Sequence, residues 1–228
     1  MPLTISSISR NARILIATLV LYVILLACLA LALNDAQFAR TFSEAGLFEQ
    51  GSIAAWVLTA FVASKTAWQG ERIKRTSHCA HTILFIMCAM READWHKKFT
   101  ADGILKIKYY TRSAADMYEK IPAALISLLF IGLMIHALRR CISHAKVKSN
   151  LLRESTWVMM TGISLFFVGK ILDRSISILT ETFGLNVAPL LKKIIGAQEE
   201  GLEMLGPLFI AIAFLWPSSD AKNPHHQP

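Results

Sequence analysis

Charged side chains that could do chemistry stand directly beside apolar segments of the sequence. In the stretch CAMREADWHKK, residues 88–98, an apolar segment ends in Arg91, Glu92, Asp94 and His96. Carboxylates with one imidazole suit a hard or borderline divalent metal ion that keeps positions open for water. The same residue types could instead relay protons or bind cations in a carrier.

Three further groups of charged residues adjoin apolar segments. They are Glu49, then Lys170, Asp173 and Arg174, and then Glu199, Glu200 and Glu203. With the first group they supply seven carboxylates against Arg91, Lys170 and Arg174. So many acids cannot all stay ionised in a low-dielectric space without a compensating cation. Either some of them take up protons, or a metal or another cationic group is bound.

The candidate catalytic residues are Glu92, His96, Asp173 and Glu199, and the same four are the candidate ligands if a divalent metal is present. The other members of the predicted polar cluster are Glu49, Arg91, Asp94, Lys170, Arg174, Glu200 and Glu203. Glu92 and His96 are four residues apart, which would place them on one helix face. Asp94 is turned away from that face and is expected to pair with Arg91.

The composition places these residues in a membrane protein. Of 228 residues, 54% are hydrophobic and 18% are charged. The run from Ile14 to Leu33 has twenty residues without a charge, which is long enough to cross a hydrocarbon core of about 30 Å. Its length favours an uncleaved anchor helix over a signal peptide.

The predicted fold is all-α: a polytopic membrane helix bundle that forms a single domain, 1–228, with a polar tail at 217–228. Six apolar segments are expected to cross the membrane, at about 14–33, 47–66, 77–96, 121–138, 155–176 and 198–216. The connections 97–120 and 177–197 are expected to lie along the membrane surface. Within the second, apolar residues at helical spacing after Asn186 and Pro189 predict a short interfacial helix.

Four of the six segments are too short to span without taking in charged residues. The uncharged runs 51–64, 77–90, 155–169 and 204–216 have 13 to 15 residues, or about 20–23 Å of helix. Because chain direction alternates at each crossing, all four charged groups fall on the same side of the membrane. Charges at such depth normally face one another inside the bundle. We therefore predict a central bundle of segments two, three, five and six around a shared polar chamber, with segments one and four outside.

Three functions remain open from the sequence. One is a metal-assisted lipid or phosphoester hydrolase, another is a cation- or proton-coupled carrier, and the third is a non-catalytic scaffold or subunit. A ring of solvated charges at the membrane surface would explain the same pattern without any site. The sequence has no P-loop, GxSxG, HExxH or GxGxxG motif, so it gives those enzyme classes no support.

The net charge of +8 indicates a lipid partner rather than nucleic acid. Most Lys and Arg residues flank the apolar segments, where anionic headgroups attract them. The expected location is a bacterial inner membrane, with both termini in the cytoplasm. A protein partner or a homo-oligomer stays open.

Overall fold

A computed structural model describes residues 10–43, 45–69, 72–100, 103–112, 115–147 and 153–216. The described residues form helices and turns and contain no strand, so the all-α class is confirmed. The helices are α1 (Arg10–Ala32), α2 (Asp35–Phe42), α3 (Leu47–Gln69), α4 (Arg72–Glu92), α5 (Ile107–Arg112), α6 (Met117–Lys146), α7 (Glu154–Ser177) and α8 (Pro189–Leu215). A 3₁₀ turn at Trp95–Lys98 follows α4, and a π-helical turn at Ile178–Thr182 follows α7. The predicted polar tail, 217–228, lies outside the described residues.

Four helical stretches are long and apolar enough to cross a membrane. They are Arg13–Ala32, Asp35–Gln69, Met117–His144 and Glu154–Thr182. They contain the predicted segments 47–66, 121–138 and 155–176 and residues 14–32 of the predicted segment 14–33, and they are consistent with an integral membrane protein. The other two predicted segments correspond to α4 and α8, which carry more charge and are not among these four stretches.

Helix α8 has the largest share of the packing. It lies against α7, α3, α1 and α2, while α3 also packs along α4. The buried side chains come mainly from α3, α4, α7 and α8, and most large apolar residues of α1 and α6 are exposed. Packing between α7 and α8 is close because Gly162 and Gly206 face each other. A Cβ atom on Gly162 would lie 2.7 Å from the carbonyl oxygen of Gly206.

A proline lies inside α8 without ending the helix. Pro207 has no N–H to donate, so the carbonyl of Glu203, one turn earlier, loses its usual partner. The hydroxyl of Ser52 on α3 lies 3.4 Å from that carbonyl oxygen and donates to it. Thr59, also on α3, donates to the carbonyl of Pro207 at 2.8 Å. Side chains of α3 thus support the backbone of α8 where the proline weakens it.

Helix α4 ends at Glu92, four residues before the end of the predicted segment 77–96. Asp94 then adopts a left-handed conformation with φ of 50°, which aspartate tolerates better than most residues. The 3₁₀ turn that follows holds His96. The expectation that Glu92 and His96 share one helix face was therefore wrong.

The predicted interfacial helix after Asn186 is also corrected. From Pro189 the chain continues without interruption through Leu215, so these residues form the first turns of α8. Pro189 suits the first turn of a helix, and none of the glycines that follow it ends the helix. In the other connection, Tyr109 is fully buried and Tyr110 contacts Ser127 of α6, so the segment 103–112 packs against the protein.

Candidate functional site

An ion pair between α7 and α8 lies at the centre of the predicted polar cluster. The ammonium of Lys170 is 2.6 Å from Oε2 of Glu203, and the Glu203 side chain is only 5% exposed. Gly169, next to Lys170, leaves space for the Glu203 side chain, since a Cβ atom there would lie 2.8 Å from Glu203 Cγ. The small residue on α7 thus allows a carboxylate to enter the helix interface.

Lys170 pairs with only one of the two oxygens of the Glu203 carboxylate. Its other oxygen, Oε1, is buried and has no hydrogen-bond partner among the described residues. The carboxylate of Glu92, at the end of α4, lies within electrostatic range. Glu92 Oε1 is 3.5 Å from the Ser52 hydroxyl, and Glu92 Oε2 is 3.8 Å from Arg91. Two carboxylates from different helices thus approach each other in a buried space.

Two more acids from α8 complete the described cluster. Glu199 and Glu200 are partly buried one turn before Glu203. Glu199 is within electrostatic range of Asp173, Lys170 and Glu92. Glu200 is within range of Glu49, Glu92, Glu199 and Glu203. The structure therefore brings acids from α4 and α8 together, with Glu49 of α3 at their edge.

Several predicted members lie at the edge of this cluster. Asp173 and Arg174 are exposed and 3.8 Å apart. Asp94 pairs at 2.6 Å with Lys97 instead of the expected Arg91, because the end of α4 turns its carboxylate towards the 3₁₀ segment. Glu49 accepts a hydrogen bond from the backbone N–H of Ala45. The side chain of His96 lies outside the described residues.

The described residues do not form a metal centre. Among them, no group of three His, Cys, Asp or Glu side chains could hold a metal ion. The metal ligands predicted from the sequence were Glu92, His96, Asp173 and Glu199. Of these, Glu92 and Glu199 belong to the buried cluster, whereas Asp173 faces outwards.

An apolar cavity of about 970 Å³ adjoins the cluster, and Arg91 and Lys170 contribute to its wall. Trp56, which is not among the predicted site residues, also lines it. Ser52, which links α3 to both Glu92 and the backbone of Glu203, was not predicted either. One serine in an apolar segment gives no signal of such a role. No protein-family model, curated protein or solved structure matches the chain.

Proposed function

We propose that the chain is a multi-pass membrane protein whose buried carboxylates bind and release protons or a small cation, as in a proton- or cation-coupled carrier. The observation that carries the proposal is the pair of carboxylates of Glu203 and Glu92. Glu203 Oε1 is buried and has no donor within the described part of the chain, and Glu92 lies within electrostatic range. A shared proton or a bound cation would satisfy both groups.

The balance of charge also supports an exchangeable ligand. Glu92, Glu199, Glu200 and Glu203 converge on a region where Lys170 and Arg91 are the basic partners. In a scaffold, each buried acid would be expected to have its own base or hydrogen-bond donor. The excess of acids favours a site that gains and loses positive charge.

The proposal includes six membrane crossings, with α4 and α8 as the additional two. Their charged residues adjoin the cluster, and α8 packs against three of the four apolar stretches, those that contain α1, α3 and α7. Pro207 gives α8 a backbone carbonyl without its helical partner next to the acids. Backbone carbonyls that lack a helical partner coordinate ions in many carriers.

A metal-assisted lipid or phosphoester hydrolase is the second candidate. The observation in its favour is the apolar cavity beside Arg91 and Lys170, which could admit a lipid. Such an enzyme would need a ligand set completed by His96. Binding of Zn²⁺ or Mn²⁺ by the purified protein, lost in His96→Ala, would support this candidate over the carrier.

The test uses protein reconstituted into liposomes that contain a pH-sensitive dye. We expect an imposed membrane potential or a Na⁺ or K⁺ gradient to change the internal pH faster than in empty liposomes. Glu203→Gln should abolish that change. Glu203→Gln leaves the charge of Lys170 unpaired. The double variant Lys170→Met/Glu203→Gln, which removes both charges of the pair, is therefore measured as well.

Glu181→Gln is the matched control, since Glu181 is exposed in the turn after α7. It should retain the activity of the parent. Equal ion movement by the parent and both Glu203 variants would refute the role of the carboxylates. The proposed function would be refuted if the parent protein moved no ions in liposomes and if no added cation changed its melting temperature.

A further inference from the structure

The apolar cavity has the size and lining of a ligand site. Its volume of about 970 Å³ is at the upper end of the range for small-molecule pockets, roughly 300–1,000 Å³. The wall is formed by α4, α6, α7 and α8, with Trp56 reaching in from α3. Phe85, Phe166 and Phe214 make much of it aromatic, and Trp56 contacts the first two of these rings.

Basic side chains lie at both ends of the cavity, Arg91 and Lys170 at one and Arg140 and His144 at the other. Arg91 and Lys170 both line the cavity, and the only ion pair of Arg91 among the described residues is the 3.8 Å contact with Glu92. Most of the guanidinium donors are therefore free to bind an anion. On α4 the cavity extends from Arg91 back to His78, thirteen residues away, which is about 20 Å of helix. A long hydrocarbon chain would fit along that length.

We propose that this cavity binds an anionic long-chain lipid, with its charged head at Arg91 and Lys170 and its chain along the aromatic wall. These two basic residues and the apolar wall behind them match the two parts of such a molecule. The inference goes beyond the proposed function, because it requires none of the carboxylates to exchange a proton or a cation.

The experiment measures lipid binding to the purified full-length chain in detergent by native mass spectrometry. Phosphatidylglycerol, phosphatidylcholine with the same acyl chains, and oleate are the three probes. They separate an anionic phosphate from a zwitterionic head and from a carboxylate. We expect phosphatidylglycerol or oleate to bind more tightly than phosphatidylcholine, and Arg91→Gln to weaken the preferred anion roughly tenfold.

A second pair of variants tests the location. Ala137→Trp places an indole in the cavity from α6, whereas Leu128→Trp adds the same group on the exposed face of that helix. The first should lose the lipid and the second should keep it. A lipid with brominated chains should quench the fluorescence of the parent more than that of Trp56→Phe.

Two outcomes would overturn the proposal. One is equal lipid retention by Ala137→Trp and Leu128→Trp, which would mean that the bound lipid covers the outside of the helices. The other is binding that does not distinguish phosphatidylglycerol and oleate from phosphatidylcholine and does not change in Arg91→Gln. Neither outcome bears on ion movement by the Glu203 variants, so failure here is distinct from failure of the proposed function.

Discussion

At the scale of single residues, Lys170 and Glu203 depend on each other. Lys170→Ala would leave the Glu203 carboxylate without its 2.6 Å partner in a buried site. We expect a loss of about 3 kcal/mol in the free energy of unfolding, at the low end for a buried pair because Lys170 is itself 30% exposed. Unfolding of purified protein in mixed micelles, followed by circular dichroism, would measure it.

The neighbouring pair of Arg174 and Asp173 supplies the control for this prediction. Arg174 is 74% exposed, so Arg174→Ala should cost less than about 1 kcal/mol. Replacing both members of the buried pair, as Lys170→Met/Glu203→Leu, should recover most of the stability. The interpretation fails if Lys170→Ala and Arg174→Ala have the same effect.

The residues of the candidate site could be predicted better than their partners. The sequence indicated the acids that converge, because short uncharged runs require the adjoining charges to enter the bundle. It could not indicate that Asp94 pairs with Lys97, since that contact depends on the left-handed backbone where α4 ends. Nor could it indicate the contacts of Ser52, which depend on how α3 packs against α8.

At the scale of the helices, the contact between α7 and α8 depends on two glycines. Gly162→Ala would place a Cβ atom 2.7 Å from the carbonyl oxygen of Gly206, and backbone atoms cannot easily move away. We expect a loss of roughly 1–3 kcal/mol, as for other overpacked interfaces. Thermal unfolding in detergent would measure the change.

Gly132 on α6 provides a matched comparison for Gly162. A Cβ atom there meets nothing within 4 Å. Gly132→Ala should therefore be neutral or stabilise the protein by up to about 1 kcal/mol, because alanine favours helix more than glycine does. Similar melting temperatures for the two variants would contradict close packing between α7 and α8.

The segment 103–112 gives a prediction for the effect of pH. Tyr109 is fully buried and donates to Glu119 at 2.6 Å, and burial followed by this hydrogen bond raises the pKa of Tyr109 to about 12. Since the ordinary pKa of tyrosine is about 10, the folded state holds this proton more tightly. The protonated phenol of Tyr109 should therefore contribute all of its stabilisation below about pH 10, and this contribution should disappear as the pH rises towards 12.

Phenolate absorbance during an alkaline titration would test this prediction. Tyr109→Phe should remove one late-ionising phenol, whereas Tyr118→Phe, at a side chain that is 92% exposed, should leave it in place. If Tyr109→Phe removes only a phenol that ionises near pH 10, the side chain is not buried against Glu119.

The helices themselves follow closely from hydrophobic pattern, but their ends do not. Each of the six predicted segments corresponds to a helix, whereas the end of α4 at Glu92 and the extension of α8 back to Pro189 were missed. Its first turns carry Lys192 and Lys193 among apolar residues, which resembles the pattern of a helix on a membrane surface. Contacts of α8 with α1 and α2 favour one continuous helix, and a local pattern contains no information about them.

At the scale of the whole molecule, an even number of crossings would put both termini on the same side. Six crossings remain a prediction, as does the cytoplasmic location of the termini. The latter depends on a small excess of Lys and Arg on that side, which appears only when Arg91, Lys170 and Arg174 are set aside as site residues. We expect N- and C-terminal reporters that are active only in the cytoplasm both to give signal. A C-terminal fusion that is active only after export would reverse the orientation or change the number of crossings.

The position of α8 in the chain has a consequence for biogenesis. Its packing partners α1, α2, α3 and α7 all precede it, so during synthesis each of them is complete before the helix that joins them exists. Until then Lys170 has no Glu203 beside it, and the face of α7 that carries Gly162 and Gly169 is uncovered. Chains stopped before Pro189 should therefore be recognised as unassembled and degraded, while chains that reach Leu215 become resistant to proteases in a single step.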